Sequence, residues 1–408
     1  MEFADAAILL VGDEVLSGRV RDANIPTVAR ELSARGIPVS RAGVAPDDPA
    51  GIAAVLASLR SDRRLIVTTG GLGPTEDDLT PRAVAAALGI GFCEDPEALG
   101  MVLGKYSARG VECPRSARAQ AWLPEGARPV DNPAGIAPGI VLTLAGSGEC
   151  IVMLPGVPRE VEGLAGPCLD AAGASGPGLA EVFCLKIWGI PENALMDLIK
   201  SEDLDGGASL AFLPSPGQVE LSFRGPGASA GFEAVGARLG SAVFARERGP
   251  LIEQVLGEAL AERGFTLATA ESCTGGLLGG RITSVPGSSG WYHGGVVCYS
   301  NDLKRLALGV RSSTLGAFGA VSAETAMEMA EGAGRLAGSD AALAVTGIAG
   351  PGGDSPEKPV GTVWIAAIAG GRHEVRAFRF GGTRATVRDA ACTCAMGLLL
   401  GLLAEDED

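Results

Sequence analysis

The chain has 408 residues, with 33 Lys and Arg against 48 Asp and Glu, a formal net charge of −15. A field of that sign repels polyphosphate backbones, so a nucleic-acid partner is not expected. Two histidines and nine scattered cysteines without a CxxC pair exclude His-rich metal sites, zinc ribbons and a disulfide framework. Hydrophobic residues at 47% and charged residues at 20% fit a soluble protein of two or three domains. No basic segment precedes an apolar run at the start, and no stretch reaches ~18 uninterrupted apolar residues. No membrane span is expected, and the cytoplasm is the default location.

The first segment alternates strands and helices. The apolar run Ala6 to Val11 ends at Gly12, a helix over Asn24 to Arg35 stops at Gly36, and Ile37 to Ala42 is extended. A second helix spans about Pro49 to Arg60, and Arg64 to Thr69 is a buried-type strand entering Gly70 and Gly71. Thr80 followed by Pro81 predicts an N-cap with proline at the first helical position, and Gly89 closes that helix. This βαβαβ order predicts a mostly parallel sheet with helices on both faces.

Residues 172–180 (AGASGPGLA) form a small-residue linker. A strand over Glu181 to Ile190, a helix opened by Pro191, a hairpin over Ser209 to Phe223 and a helix near Gly231 to Ala245 then make a small α+β module. Arg248 to Pro250 marks the next boundary. Apolar residues at 251, 252, 255, 256, 259 and 260 carry the helical period up to Gly264. Strand signals at 265–270, 295–299, 341–346, 360–368 and 373–380 alternate with helices, the last over about 384–403. The fold class is α/β: two doubly wound α/β domains (1–172 and 250–408) joined by a small α+β module (178–246).

Two segments carry chemistry. In the first domain VTTGGLGPTEDDLT (67–80) leaves a strand and enters a helix. Gly70, Gly71 and Gly73, with Pro74 and Thr75, let backbone N–H groups approach and cradle a phosphate. Asp77 and Asp78 offer oxygen ligands to a divalent metal, with simple helix capping as the alternative. Gly12, the turn from Asn132 to Gly135, and Gly156 within Leu154 to Pro158 add backbone turns at strand ends.

In the last domain three dense segments converge: AESCTGG (270–276), PGSS (286–289) with YSNDLK (299–304), and TGIAGP (346–351) with KPVGT (358–362). Ser272, Thr274, Gly275 and Gly276 open a helix whose free N–H groups suit a phosphate or a developing oxyanion. Ser289 lies in a Gly-Ser-Ser turn and Lys304 opens a helix after the next strand. A serine needs a base, and lysine serves if its pKa falls from about 10.4 to about 7–8, a shift costing roughly 4 kcal/mol. Tyr299 relays the proton or holds Lys304 in place. A solvated helix lysine, Cys273 as the nucleophile, and His293 as the base for Ser289 remain open alternatives.

These segments resemble the CinA (competence/damage-inducible protein A) family, whose C-terminal domain is similar to stand-alone nicotinamide mononucleotide deamidases. AESCTGG, PGSS with YSN and Lys304, TGIAGP and KPVGTV span about 95 residues in the family's order. The resemblance implies hydrolysis of nicotinamide mononucleotide to nicotinate mononucleotide and ammonia, with Ser289 as nucleophile, Lys304 as base and Tyr299 beside them. It places Ser272, Thr274, Gly275, Thr346, Gly347 and Gly350 around the substrate, and Arg384 or Arg388 on its 5′-phosphate. The first domain resembles the family's molybdopterin-binding fold over about residues 5 to 170, through GGLGPTEDDLT, NPAG followed by APG, and LPGVPRE. That resemblance implies hydrolysis of ADP-ribose to AMP and ribose 5-phosphate, with Gly12, Gly70, Gly71, Gly73, Pro74, Thr75, Asn132, Gly135 and Gly156 around the ligand. It also implies a divalent metal on Asp77 and Asp78, whereas the last domain needs no cofactor. The chain departs from the family at Ala45-Pro46-Asp47-Asp48-Pro49, where a Gly-Asp-Asp-like turn is usual. The middle module resembles the family's KH-like domain but lacks a basic GxxG loop, which points to spacer and dimer contact rather than RNA. The whole is expected to be a homodimer acting on small nucleotides. Two alternatives stay open: a first half that binds a nucleotide or pterin without turnover, and a scaffold in DNA uptake or damage response.

Overall fold

The computed structural model describes residues 2–62, 64–178, 181–199, 204 and 206–404, in two units, Met1–Leu179 and Ala180–Asp408. Leu179 and Ala180 of the expected linker, and the last four residues of the last expected domain, lie outside the described residues.

Along the first unit run β1 (Asp5–Val11), α1 (Asp13–Leu16), α2 (Asn24–Ala34), β2 (Val39–Ala45), α3 (Pro49–Leu59), β3 (Arg64–Thr69) and α4 (Thr80–Leu88). The next elements are β4 (Phe92–Glu94), α5 (Pro96–Ala108), β5 (Trp122–Pro124), β6 (Arg128–Val130), β7 (Gly139–Thr143), β8 (Cys150–Leu154) and α6 (Pro158–Ala171). The sheet order is β2-β1-β3-β8-β7-β6. Its first four strands are parallel, and β7 and β6 add an antiparallel edge. β1, β3 and β8 are covered on both faces, which is why their residues run apolar without alternation. α3 starts where the Asp48 carboxylate accepts from the Gly51 N–H at 2.9 Å, with Pro49 at its first position. α4 corrects one expectation. Leu79 is its N-cap, and the Thr80 hydroxyl instead donates to the Gly70 carbonyl at 2.8 Å, tying the glycine loop to the helix.

The second unit opens with β9 (Phe183–Trp188), α7 (Glu192–Leu198), β10 (Ser209–Ser215), β11 (Gln218–Arg224), α8 (Ala228–Leu239) and β12 (Val243–Ala245). They form an antiparallel sheet, β10-β11-β9-β12, whose own core joins Leu185 and Leu221 to Phe232 and Val235 of α8. Then come α9 (Ile252–Arg263), β13 (Leu267–Glu271), α10 (Leu277–Thr283), β14 (Tyr292–Val297), α11 (Asn301–Leu308), α12 (Ser312–Phe318) and α13 (Ala323–Ala337). β15 (Ala341–Gly347), β16 (Thr362–Ala369), β17 (Arg372–Arg379) and α14 (Arg384–Ala404) complete the chain. The sheet order is β14-β13-β15-β16-β17, with the first three strands parallel and the last two antiparallel. α9 and α14 cover one face and α13 the other.

α14 is long and apolar enough to cross a membrane by length and composition. In this fold it is a core helix, with Cys392 to Leu399 buried. The small sheet shares that core: the Trp188 indole lies against Gly397, where any Cβ would collide with the ring. All nine cysteines are free thiols.

Candidate functional site

In the second unit the parallel strands β13 and β15 end together, and the loop after β13 is pinned when the Ser272 N–H donates to the Val345 carbonyl at 2.9 Å. Ser300 caps α11 by accepting from the Leu303 N–H. A helical side chain leans toward its own N-terminus, so Lys304 reaches back over the strand ends. Its Nζ donates to Ser272 Oγ at 2.9 Å and to the Cys298 carbonyl at 2.7 Å, and only 1% of the residue is exposed. Burial pulls the Lys304 amine below its ordinary 10.5.

Lys304 therefore pairs with Ser272, and the chain does not bring it to Ser289. Ser289 is exposed in the short turn Ser288–Gly290 that precedes β14, whereas Lys304 follows that strand. The Leu267 N–H donates to the Trp291 carbonyl, which fixes the start of β14 beside the start of β13. A six-residue strand at ~3.3 Å per residue then puts Ser289 and Lys304 at opposite edges of the sheet, on the order of 20 Å apart. His293 Nδ1 lies 3.2 Å from the Ala337 carbonyl, and among the described residues no hydrogen bond joins His293 to Ser289.

The expected anion cradle at the start of α10 is already filled. The Glu271 carboxylate accepts from the N–H groups of Gly276, Leu278 and Gly279 at 2.8–3.0 Å. The turn before it stays open: among the described residues the Thr274 N–H has no acceptor, and its buried hydroxyl has no partner. Burial raises the Cys273 thiol to about 11, which disfavours a thiolate nucleophile, although Arg384, Arg388 and Lys304 pull the other way. Those three cations converge on the Ser272–Thr274 loop. Arg388 donates Nε and Nη2 to the Thr274 carbonyl at 3.2 and 2.5 Å and passes beside Gly275. Arg384 is exposed and donates to the Gly350 carbonyl and to the Tyr299 hydroxyl, both at 2.7 Å. Tyr299 is 60% exposed and faces Arg384 rather than Lys304. Thr346 is spent on structure, donating to the Ala320 carbonyl at 2.7 Å. Gly347 is packed against Val363 of β16.

In the first unit, β1, β2, β3 and β8 end along one edge, where open parallel sheets place ligands. Gly70, Gly71, Gly73, Pro74, Gly135 and Gly156 line a cavity of about 780 Å³ there, and Thr75 lines a neighbouring one of about 510 Å³. Among the described residues the N–H groups of Gly71, Leu72 and Gly73 have no acceptor, and Gly71 has φ +69°. Three successive free N–H groups in such a turn make an anion-binding nest. Gly12 and Asn132 are not among the residues lining either cavity. Asn132 is buried and fully used: its Oδ1 accepts from Ala134 and Gly135, and its Nδ2 donates to the Ala137 carbonyl and to Glu160.

Asp78 accepts from the N–H and hydroxyl of Thr75 at 2.8 and 2.6 Å, so it closes the loop. Asp77 and Asp78 both line the larger cavity, with Glu14 and Asp47. Asp47 accepts from the Asp13 N–H at 2.8 Å; burial raises its carboxyl, and the nearby charges of Glu14, Asp13 and Asp77 raise it further. Among the described residues no group of three or more His, Cys, Asp or Glu side chains is placed to hold a metal ion. Sequence reading also missed Glu271, Phe92, Gln120 and Trp122. An acid just before a Thr-Gly-Gly turn signals a helix cap, while the other three lie outside any motif.

Residues 7–166 match the probable molybdopterin binding domain, and residues 251–403 match the CinA C-terminal domain. Fold and sites thus define a two-unit α/β protein that joins those two domain classes. A CinA-like protein of Citrifermentans bemidjiense is 41% identical over 402 residues, covering 96% of each chain. A protein of Moorella thermoacetica named as competence-damage inducible is 40% identical over 406 residues, covering 97% of each. A solved competence/damage inducible protein from Agrobacterium tumefaciens is 42% identical, with a TM-score of 0.36, covering 38% of this chain and 98% of its own. The chain belongs to the CinA family.

Proposed function

We propose that the second unit is an amidohydrolase that converts nicotinamide mononucleotide to nicotinate mononucleotide and ammonia, with Ser272 as nucleophile and Lys304 as its base. The observation that carries this reading is the 2.9 Å contact between a buried amine and a serine hydroxyl at the sheet edge. When Lys304 is charged it donates to Ser272; once it loses its proton, the same contact lets the amine accept the hydroxyl proton. Ser272 Oγ attacks the carboxamide carbon, Lys304 returns the proton to the departing ammonia, and water releases the acyl group. Thr274 offers a free N–H and hydroxyl to the oxygen that gains charge. Arg384, the more exposed of the two arginines, receives the 5′-phosphate with Tyr299, while Arg388 holds the Thr274 loop.

The test is ammonia release from nicotinamide mononucleotide by three variants of the full chain. Ser272→Ala and Lys304→Met should each lose about four to six orders of magnitude in kcat, as removal of one member of a coupled unit does. Ser289→Ala should stay within a few-fold of the parent. A Ser289→Ala variant as damaged as Ser272→Ala would overturn the assignment.

For the first unit we propose hydrolysis of an ADP-ribose-type pyrophosphate held on the Gly71–Gly73 nest, giving AMP and ribose 5-phosphate. The three free N–H groups between two cavities support it, since a pyrophosphate there would send one arm into each. Release of both products by the full chain is the expected outcome. Binding of ADP-ribose without either product would leave the unit as a non-catalytic binding module.

A further inference from the structure

The connection from β15 to β16 is longer than the fold requires. The two strands are antiparallel neighbours, and their ladder runs on past Gly347 and Val363. The Ile348 N–H donates to the Thr362 carbonyl at 2.9 Å, and the Gly361 N–H to the Ile348 carbonyl at 2.7 Å. A hairpin there needs about two to five residues, whereas this chain uses residues 349–360. The neck is tight, since a Cβ on Gly350 would meet Val360 Cγ1 at 2.7 Å. Beyond it, residues 351–357 are all exposed, and among the described residues the N–H groups of Gly352 to Asp354 have no acceptor. An exposed segment with an unpaired backbone opens and closes at little cost. Lys358 Nζ ties one end of this strap to the Phe318 carbonyl, and Arg384 Nη1 ties the other by the Gly350 carbonyl, both at 2.7 Å. Arg384 Nη2 meanwhile donates to the Tyr299 hydroxyl at 2.7 Å. Tyr299 lies just beyond β14 and Gly350 just beyond β15, and β13 runs between those strands. The guanidinium therefore bridges the end of β13, where the Ser272 loop begins, close enough for its charge to act on Cys273. Among the described residues it does so without a carboxylate: its two acceptors are a carbonyl and a hydroxyl, both neutral.

We infer that Arg384 is a phosphate-operated latch: the 5′-phosphate of the substrate takes Nη1 from the Gly350 carbonyl, and the released strap folds over the bound nucleotide. The inference rests on the reading of Arg384 as the phosphate ligand of the Ser272–Lys304 site. A phosphate brings charged oxygens to a fork that holds only neutral acceptors, so the exchange favours the ligand. Tyr299 keeps its place, because its hydroxyl can turn from accepting the Arg384 proton to donating to the phosphate. Lys358 keeps its hold on Phe318 and serves as the fixed end of the strap. Closure shields the reacting carboxamide from bulk water, where the Thr274 N–H acts more strongly on the developing charge. A phosphate remote from the amide thereby raises kcat as well as affinity, and the site selects the nucleotide over its nucleoside.

Two measurements on the full chain test the latch. In the first, a Glu-specific protease cuts the exposed strap after Glu357, and the fragments are identified by mass. Ser272→Ala holds nicotinamide mononucleotide without turning it over, and the nucleotide should slow this cut several-fold while cuts elsewhere keep their rates. Nicotinamide riboside, which lacks the phosphate, should leave the cut unchanged. In the second, the parent should deamidate the riboside with a kcat roughly 100-fold below that for the mononucleotide, and added phosphite should restore part of the loss. Arg384→Ala should lower kcat for the mononucleotide roughly 10- to 100-fold and abolish the response to phosphite. Arg384→Lys, which returns a cation without the fork, should recover part of both. The protection and phosphite arms need no change at Arg384, so they decide the matter even if Arg384→Ala fails to fold. A Glu357 cut that the mononucleotide leaves unslowed or speeds, or an Arg384→Ala that raises KM with kcat intact, would overturn the inference. Failure of the deamidase reading looks different: neither compound releases ammonia, yet the mononucleotide still protects Glu357. If the latch alone fails, the parent deamidates the mononucleotide while the strap of Ser272→Ala is cut at its ligand-free rate.

Discussion

An ammonium with 1% exposure is an unfavourable thing to bury, and among the described residues Lys304 has no carboxylate beside it, only a hydroxyl and a carbonyl. The fold lowers its pKa instead of neutralising it with an ion pair. Below the lowered value the amine is charged both in the native and in the unfolded chain, and the burial cost is fully present. Between that value and 10.5 the unfolded chain keeps a proton that the native one has released, so stability rises with pH across that window. The reaction follows the same proton, since the base must be neutral. Deamidation should therefore rise with pH along a limb whose midpoint lies below 10.5. In denaturation experiments Lys304→Met should lack the parent's gain in stability over the same window. A parent whose stability does not differ from that of Lys304→Met across it would show that the amine is not perturbed.

At the scale of single elements, the start of α10 shows how one side chain sets a site. Glu271 is the last residue of β13 and holds three N–H groups of the helix that follows, so the Ser272–Thr274 turn is clamped from both ends. Glu271→Ala leaves those donors without an acceptor and should lower the stability of the second unit by about 1–3 kcal/mol, read from urea or thermal unfolding. Deamidation should fall with it, because Ser272 rides on the freed turn. Most elements were legible from apolar periodicity and from Gly and Pro at their ends: β3 and α14 begin where the sequence predicts, and Gly89 and Gly264 close helices with φ +67° and +64°. The partner of Lys304 was not legible. Ser289 is nearer in sequence, but a whole strand stands between them, whereas Ser272 is 32 positions away and adjacent, because neighbouring parallel strands end at one edge. Gln120 and Trp122 were hidden for a similar reason, since pairing of β4 with β5 is a long-range event that no local pattern announces.

Across the whole molecule the two units are built differently. The first closes a core on each face of its sheet from residues 3–172 alone. In the second, the antiparallel module and the five-stranded sheet are not independent. Trp188, Phe244 and Ala245 enter the core built on α14, and the Trp188 indole sits on a helix position that only glycine can fill. The middle module thus forms one wall of that core. One consequence concerns the order of synthesis. α14 leaves the ribosome after every strand it covers, so the sheet face it shares with α9 stays partly unsheltered until this helix arrives. The first unit's core draws nothing from α14 and can close while later residues are still being made; the second unit's core closes only once α14 has emerged, and that interval is when the growing chain is most exposed to aggregation.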